Sequence, residues 1–445
     1  MDIRKSPLLT DLYQLTMLQG YIEEELHDEA VFEFYVRQMP ENRSFLVAAG
    51  LESCLGFLEN LAFTEEELAY LKETKRFSSA LIAYLRTLHF TGDVHALPEG
   101  TIFFPNEPLL RITAPLPVAQ LVETRLINFL HFESLIATKA ARCTIAAQGR
   151  ANLIDFGLRR AHGAEAGLLA ARACYLAGFV GTATVPADML YGIPIFGTMA
   201  HSYIEAHPDE ETAFLKFAKA NPGNVTLLID TYDTVEGAKT AARVAAKLAG
   251  RDIRVRAVRL DSGDLLTLSK TVREILDDRG FPDIQIFASG NLDEYSVEHL
   301  LAQGAPINGF GIGTKLDTSA DVPYLECAYK LMEYAGKPRL KKSTGKATYP
   351  GRKQVFRRTQ NDRMVGDTIG LEIEQPDGRP LIRKVMSSGQ RLENPEPLPE
   401  LARRTIAQLR QLPPVLCHLT GTGSYPVTIS DVLIRLKEET ERGLF

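Results

Sequence analysis

The chain has 445 residues, 45% of them hydrophobic and 24% charged, an ordinary globular composition that excludes a disordered or low-complexity protein. Fifty basic residues against 56 acidic ones leave a net charge of −6, which argues against a protein that coats nucleic acid, although a local basic patch can still hold a small phosphate ligand. No run approaches 18 uncharged apolar residues, and Asp2, Arg4, Lys5 and Asp11 interrupt the N-terminal segment; no membrane span or secretory leader is expected, and the reading is cytoplasmic.

The five cysteines, Cys54, Cys143, Cys174, Cys327 and Cys417, contain no C-x-x-C pair, so neither a disulfide framework nor structural zinc is expected. Length allows about three domains, or one large barrel with a smaller partner. Residues 1–145 read as an α+β, sandwich-like domain. Within it GDVHALPEGTIFFPNEPLLRITAPL (92–116) is broken by PEG and PNEP into short strands of an antiparallel meander or half-sandwich. The next stretch, 117–142, places Leu121, Val122, Leu126, Phe129 and Leu130 at helical spacing.

From about 151 the rhythm becomes apolar strand, small or polar turn, amphipathic helix. Eight strand-like pieces follow: ANLIDFG, GFVGTAT, IPIFGTM, VTLLIDTYD, IRVRAVRLDSGD, IQIFASG, INGFGIGT and AYKLMEYAG. Near-continuous apolar strands alternating with helices predict a parallel sheet buried on both faces. Residues 146–336 are therefore expected to form an irregular parallel β/α barrel, with a doubly wound open sheet as the alternative. The segment 337–445 starts basic and turn-rich (Lys337 to Lys353), then gives short strands and the helix DVLIRLKEETER; it either completes the first domain or forms a small third one.

In a parallel barrel the site gathers at the C-terminal strand ends. Those positions hold Asp155, Phe156 and Arg159; Thr182 and Ala183; His201; Asp230 and Asp233; Arg259, Asp261, Ser262 and Asp264; Ser289 and Asn291; and Gly311, Gly313, Thr314 and Lys315. GFGIGTKL reads as an oxyanion cradle or as an empty tight turn. Asp233 and Asp264 divide evenly between site residues and helix N-caps. Asp230 and Asp261 lie nearer the strand proper, and two oxygen ligands on neighbouring strands suit Mg²⁺ shared with a substrate pyrophosphate. Arg159 and Arg259 follow buried strands, where a guanidinium can grip carboxylate or phosphate in bidentate fashion. His201 sits among small residues. It is a structural histidine or a nucleophile, with Glu205 or Asp230 as an orienting partner.

TDLYQLTM (10–17), FEFYVRQMP (32–40), IDFGLRRAHG (154–163), GFVGTATV (178–185), GTMAHSYI (197–204), DTYDT, RLDSGD and GFGIGTKL resemble, in order, the motif series of the nicotinate phosphoribosyltransferase family over about residues 8 to 360. The resemblance implies a type II phosphoribosyltransferase, a homodimer with shared active sites. It implies ATP-coupled synthesis of nicotinate mononucleotide from nicotinate and 5-phosphoribosyl-1-pyrophosphate, an ATP-dependent ligase reaction with Mg²⁺. By position it places Phe156 and Tyr13, the latter from a second subunit, on the two faces of the pyridine ring, with Arg259 near its carboxylate.

The same resemblance gives Thr182 and Ala183 to the substrate pocket. It implies that Arg37, Arg159 and the basic segment after 336 hold phosphates, and that Asp230 and Asp261 attend the metal and the ribose. Ser289, Gly290, Gly311, Gly313 and Thr314 cradle the 5-phosphate, and His201 is the histidine that ATP phosphorylates. The nicotinamide-using relative carries an aspartate at the position of Ala183. A metal-dependent barrel aldolase or hydrolase is the rival from another class, and it would need several His or Glu ligands at strand ends.

Overall fold

The computed structural model describes residues 6–251, 253–343, 348–421 and 423–443, which divide into two compact units, one of residues 1–135 with 324–445 and one of residues 136–323. Lys346, within the basic run, lies outside the described residues. In the first unit a seven-stranded sheet runs, by neighbour, Lys337–Pro338, Cys327–Tyr334, Glu29–Val36, Pro108–Pro115, Asp93–Ala96, Arg383–Ser387 and Gln390–Arg391. Every neighbouring pair is antiparallel.

One sequence expectation changes here. AYKLMEYAG, read as the eighth parallel strand, is strand Cys327–Tyr334 and pairs antiparallel with Glu29–Val36. Its buried residues explain the choice: Ala328 and Met332 join Val31 and Tyr35 in an apolar cluster, and Tyr329 stacks on Phe32 at 4.9 Å. The C-terminal region joins the same unit, since Arg383–Ser387 extends the sheet beside Asp93–Ala96. A second sheet joins Arg379–Pro380, Lys353–Gln360, Arg363–Leu371 and Val427–Ile429, and a small third one pairs Leu46–Val47 with Ile102–Phe103.

The other unit is a curled sheet of six parallel strands. In chain order they are β1 Asn152–Asp155, β2 Gly181–Thr182, β3 Val225–Leu228, β4 Val255–Leu260, β5 Gln285–Ser289 and β6 Gly309–Ile312, and they stand in the order β2-β1-β6-β5-β4-β3. IPIFGTM forms no full strand: Ile195 makes one parallel bridge to Thr182, and the Asn224 side-chain amide donates to the Gly197 carbonyl at 3.4 Å. Strands β3 and β6 are buried at every residue, as a sheet covered on both faces requires.

Short polar turns lead from these strands into helices, and the caps are local. Asp233 accepts from the Glu236 N–H, Asp264 from the Leu266 and Thr267 N–H groups, and Asp293 from the Ser296 N–H. Asp233 and Asp264 are thus helix N-caps, each satisfying donors that the first helical turn leaves open. Among the described residues no helix is long and apolar enough to cross a membrane.

Helix Thr234–Leu248 lies so close to the end of β3 that a Cβ added at Gly237 would stand 2.0 Å from the Ile229 carbonyl oxygen. Alanine in a helix is worth about 1 kcal/mol over glycine, but backbone cannot swing aside, and overpacking costs about 1–3 kcal/mol. Gly237→Ala should therefore lower the denaturation midpoint. Gly56→Ala, in helix Leu51–Glu59 with nothing within 4 Å of the added carbon, should raise it; equal shifts in denaturant melts of the two variants would refute the packing argument.

Candidate active site

Asp155 closes β1 and is fully buried. One of its oxygens accepts from the Gly157 N–H at 2.7 Å and the other from the Thr182 hydroxyl at 2.6 Å, and its carbonyl accepts from the Ala183 N–H at 2.8 Å. Thr182 thus serves the scaffold, whereas Ala183 is exposed on the rim. The Phe156 ring that follows rests on glycine. A Cβ at Gly311 would stand 2.4 Å from a ring carbon, and one at Gly313 would stand 2.8 Å from the Phe156 carbonyl oxygen.

Arg259 rises from β4 with its guanidinium carbon 5.6 Å from the Phe156 ring centroid, within cation–π range. Its three nitrogens are each tied to a different residue: Nε donates to Ser289 Oγ at 2.8 Å, Nη1 to Thr198 Oγ1 at 3.1 Å and Nη2 to Asp261 Oδ1 at 2.7 Å. An arginine has five N–H donors. Two therefore remain for a ligand, on a guanidinium that cannot rotate away.

Asp261 also accepts from the Ser289 hydroxyl and lies, through Oδ2, 3.8 Å from His201 Nε2. Burial alone would raise its pKa, but the Ser289 bond, the Arg259 charge and hydrogen bond, and the His201 charge outweigh it and hold the carboxyl below the usual range. With a folded pKa below the unfolded one, this group contributes stability above the unfolded value, and the contribution fades as pH falls through the folded value. Asp230 supports it from the turn after β3, Oδ2 accepting from the Asp261 N–H at 2.9 Å and the Ser262 hydroxyl at 2.6 Å. The other oxygen, Asp230 Oδ1, is buried and finds no partner among the described residues.

His201 begins the short helix His201–Glu205, and its Nδ1 stands 3.1 Å from Thr231 Oγ1. The expected orienting partners, Glu205 and Asp230, are not the ones found at its ring nitrogens; Thr231 and Asp261 are. Phe156, Arg159, Ala183, Thr198, His201, Arg259 and Asp261 line one cavity of about 370 Å³. A second of about 190 Å³ continues past Phe156 and Arg259 between Ile154, Phe196, Thr226 and Phe287.

At the far side of this rim Ser289 ends β5, and Gly290 follows with φ of 95°, where a Cβ would stand 2.1 Å from the Asp261 carbonyl oxygen. Thr314 is exposed, at the start of the one-turn helix Thr314–Asp317. Lys315, a candidate anion donor by sequence, is instead paired with Asp293 at 2.7 Å. Sequence reasoning missed Thr231, Glu210 and Asp317. Glu210, its pKa pushed up to about 7 by burial and then by the charges of Asp230 and Asp233, follows an Asp in a helix start and carried no signal of its own.

Tyr13 and Arg37 belong to the first unit. Tyr13 lies on helix Leu12–Glu23, 47% exposed, its hydroxyl donating to Glu123 at 3.3 Å; burial and then Glu123 push its pKa up to about 12. Arg37 follows strand Glu29–Val36. Two residues of the basic run are already paired, Lys353 with Glu33 at 2.7 Å and Arg352 with both Glu29 and Glu333.

A parallel sheet whose strand ends bring aspartates, a fixed arginine, a histidine and close glycine turns around one cavity defines an enzyme for a small anionic substrate. Residues 8–131 match the model of the nicotinate phosphoribosyltransferase N-terminal domain and residues 151–368 that of the nicotinate phosphoribosyltransferase family. Nicotinate phosphoribosyltransferase pncB2 of Mycobacterium tuberculosis is 47% identical over 429 residues, 96% of this chain and 92% of that one. The Bacillus subtilis nicotinate phosphoribosyltransferase is 42% identical over 386 residues, 84% of this chain and 78% of its own length.

Among solved structures, human nicotinic acid phosphoribosyltransferase superposes with a TM-score of 0.87 at 30% identity, covering 97% of this chain and 99% of that one. The chain belongs to the nicotinate phosphoribosyltransferase family, enzymes of NAD biosynthesis.

Arg259 tests the geometry directly. Lysine supplies a point charge and cannot bond Ser289, Thr198 and Asp261 at once. Arg259→Lys should raise the KM for nicotinate roughly tenfold to a hundredfold, the scale of one charge-assisted hydrogen bond. Steady-state kinetics showing an unchanged KM would remove Arg259 from the pocket.

Proposed function

We propose that the chain makes nicotinate mononucleotide and pyrophosphate from nicotinate and 5-phosphoribosyl-1-pyrophosphate, coupled to ATP through a phosphohistidine at His201. The observation that carries this reading is the oriented Arg259 beside the face of Phe156: one ring to stack a pyridine and two spare N–H donors for its carboxylate. The pyridine nitrogen attacks the anomeric carbon with its lone pair, and the bond to pyrophosphate breaks with its electrons leaving on oxygen. Positive charge develops on the ribose, and the carboxylate of Asp261, kept ionised by its partners, lies on the same rim to stabilise it.

A magnesium ion fits Asp230 and Asp261, because Asp230 Oδ1 is a buried carboxylate oxygen without a partner and a hard cation takes such oxygens together with substrate phosphate. When bound, the ion would neutralise the leaving pyrophosphate. The 5-phosphate is assigned to Ser289, Gly290, Gly311, Gly313 and Thr314, with Arg159 and Arg37 for the pyrophosphate. The barrel hydrolase reading has less support, since among the described residues no three His, Cys, Asp or Glu gather as a metal site.

The curled sheet, bridged at Ile195 and Asn224, is read as an irregular β/α barrel, and the antiparallel unit as sandwich-like. Homodimerisation is supported by an apolar surface on residues 185–196, where Val185 is 67%, Met189 81% and Leu190 53% exposed, more than a monomer's isolated apolar residues require. A second copy would supply Tyr13, whose hydroxyl is held while its ring stays half exposed. The five cysteines are free, in keeping with cytoplasmic synthesis.

Ala183 sets the choice of acid over amide. A carboxylate there would accept from an amide N–H₂ and repel nicotinate, so Ala183→Asp should weaken kcat/KM for nicotinate by at least roughly tenfold, about 1.4 kcal/mol. Unchanged kinetics would show that Ala183 plays no part in selection.

His201 carries the ATP coupling. Incubation with γ-labelled ATP should place an acid-labile, base-stable label on the peptide spanning residues 197–207. The label should vanish in His201→Asn and persist in His207→Asn, while His201→Asn keeps slow ATP-independent transfer. A label that survives in His201→Asn, or a His201→Asn enzyme still fully stimulated by ATP, returns this histidine to a structural role.

A further inference from the structure

Beneath the rim two buried aspartates come together at Gly157, whose N–H donates to Asp155 and whose Cα faces the Asp317 carboxyl. Asp155 and Asp317 are both fully buried. Asp317 ends the turn Thr314–Asp317, with its N–H donating to the Gly313 carbonyl. Its carboxyl is pressed onto the next turn: a Cβ at Gly157 would fall 2.1 Å from Asp317 Cγ. Gly313 itself abuts the Phe156 carbonyl and the Gly157 Cα, so the turn bearing Phe156 and the glycine turn are also in close backbone contact.

The two carboxyls differ in their partners. Asp155 is satisfied by Gly157 and Thr182. Neither oxygen of Asp317 receives a donor from the described residues. Two ionised carboxylates are acceptors only, and a buried pair without a donor between them repels.

We propose that Asp317 is a positioning residue: its carboxyl hydrogen, donated to Asp155, ties the turn that carries Phe156 to the turn Gly311–Thr314, so that nicotinate and the phosphoribosyl substrate are gripped or released together. This rests on the assignment of Phe156 to the pyridine and of the glycine turn to phosphate. Burial, and then the Asp155 charge, push Asp317 well above the usual carboxylate range; burial also raises Asp155, against the bonds from Thr182 and Gly157. The proton belongs to the pair rather than to one residue.

Helix Ala164–Leu176 packs on both turns. Its charged groups are Glu165 and the buried Arg172, and neither accounts for the shifts of Asp155 and Asp317. The same helix presents Cys174, whose thiol is kept neutral by burial and then by the two aspartates. From β2 comes the neutral hydroxyl of Thr182, which donates to Asp155. No cation enters the balance of either aspartate. With a raised folded pKa, the link is intact below that value and is lost as pH rises through it.

The experiment follows both KM values of the wild-type enzyme as pH rises from about 5 to about 10, above the ordinary carboxylate range. They should rise together by about tenfold, the effect of one like-charge contact. Asp317→Asn, whose amide donates at any pH, should hold both near their low-pH values across the range. It should also lose the infrared carbonyl band of a protonated carboxylic acid seen in the wild type. Gly157→Ala, which displaces Asp317 without altering a titrating group, should raise both values at every pH, and it serves if the Asn variant does not fold. A flat wild-type profile, an Asn variant that keeps the rise, or KM values that move independently would overturn the proposal. Phe156→Leu separates the underlying assignment: an unchanged KM for nicotinate there removes the stacking role, whereas the link is still judged by the phosphoribosyl substrate and the infrared band.

Discussion

The site is organised around keeping one half-buried carboxylate charged. Asp261 loses water on folding, and that loss alone favours its protonated form. The Ser289 hydroxyl, the Arg259 guanidinium and the nearby His201 reverse the balance. Each compensating group comes from a different part of the chain, so the charge of Asp261 fixes more than itself. Arg259 reaches Ser289 on β5 and Thr198 beyond β2 in the same act, and Asp230, just past the end of β3, anchors the backbone N–H of Asp261. A charged group that must be satisfied from several directions acts as a geometric constraint on all of them.

The parallel sheet makes such a convergence possible. Its strands all point one way, so each contributes its C-terminal end to one rim while the following helix begins beside it. The aspartates divide the work by spacing. Asp230 and Asp233, and again Asp261 and Asp264, stand three residues apart, and in both pairs the first belongs to the site and the second caps the next helix. A strand-end side chain projects over the sheet edge, and three residues suffice to turn the chain into the cap of a helix.

Much of this was legible in the sequence because both signals are local. Apolar strands in repeated units announced the parallel sheet, and of the residues read at the strand ends Phe156, Ala183, His201, Arg259 and Asp261 line one cavity. What was not legible was pairing across the chain. Strand Cys327–Tyr334 reads like any other apolar strand, and only its register with Glu29–Val36 shows that it belongs to the antiparallel sheet. Thr231 lies in a quoted motif, yet nothing in its own neighbourhood says that a histidine thirty residues earlier will meet its hydroxyl. Asp317 was hidden in the same way. Its meaning depends on Asp155, which sequence separation of this size does not reveal.

The glycines show why a motif can be recognised and still be ambiguous in its physics. Gly311 and Gly313 invite reading as a phosphate cradle, because bare backbone N–H groups suit an anion. In the structure they are also the surface against which Phe156 packs, and a single added carbon would strike its ring or its carbonyl. Gly290 answers a third demand, closeness to the Asp261 backbone at a φ that other residues rarely adopt. These demands exclude the same side chains, so the residue type cannot tell them apart. Only the neighbour does, and in each case that neighbour is a residue of the site, Phe156 or Asp261, so the glycines set how closely the strand ends approach one another whether or not a phosphate is present.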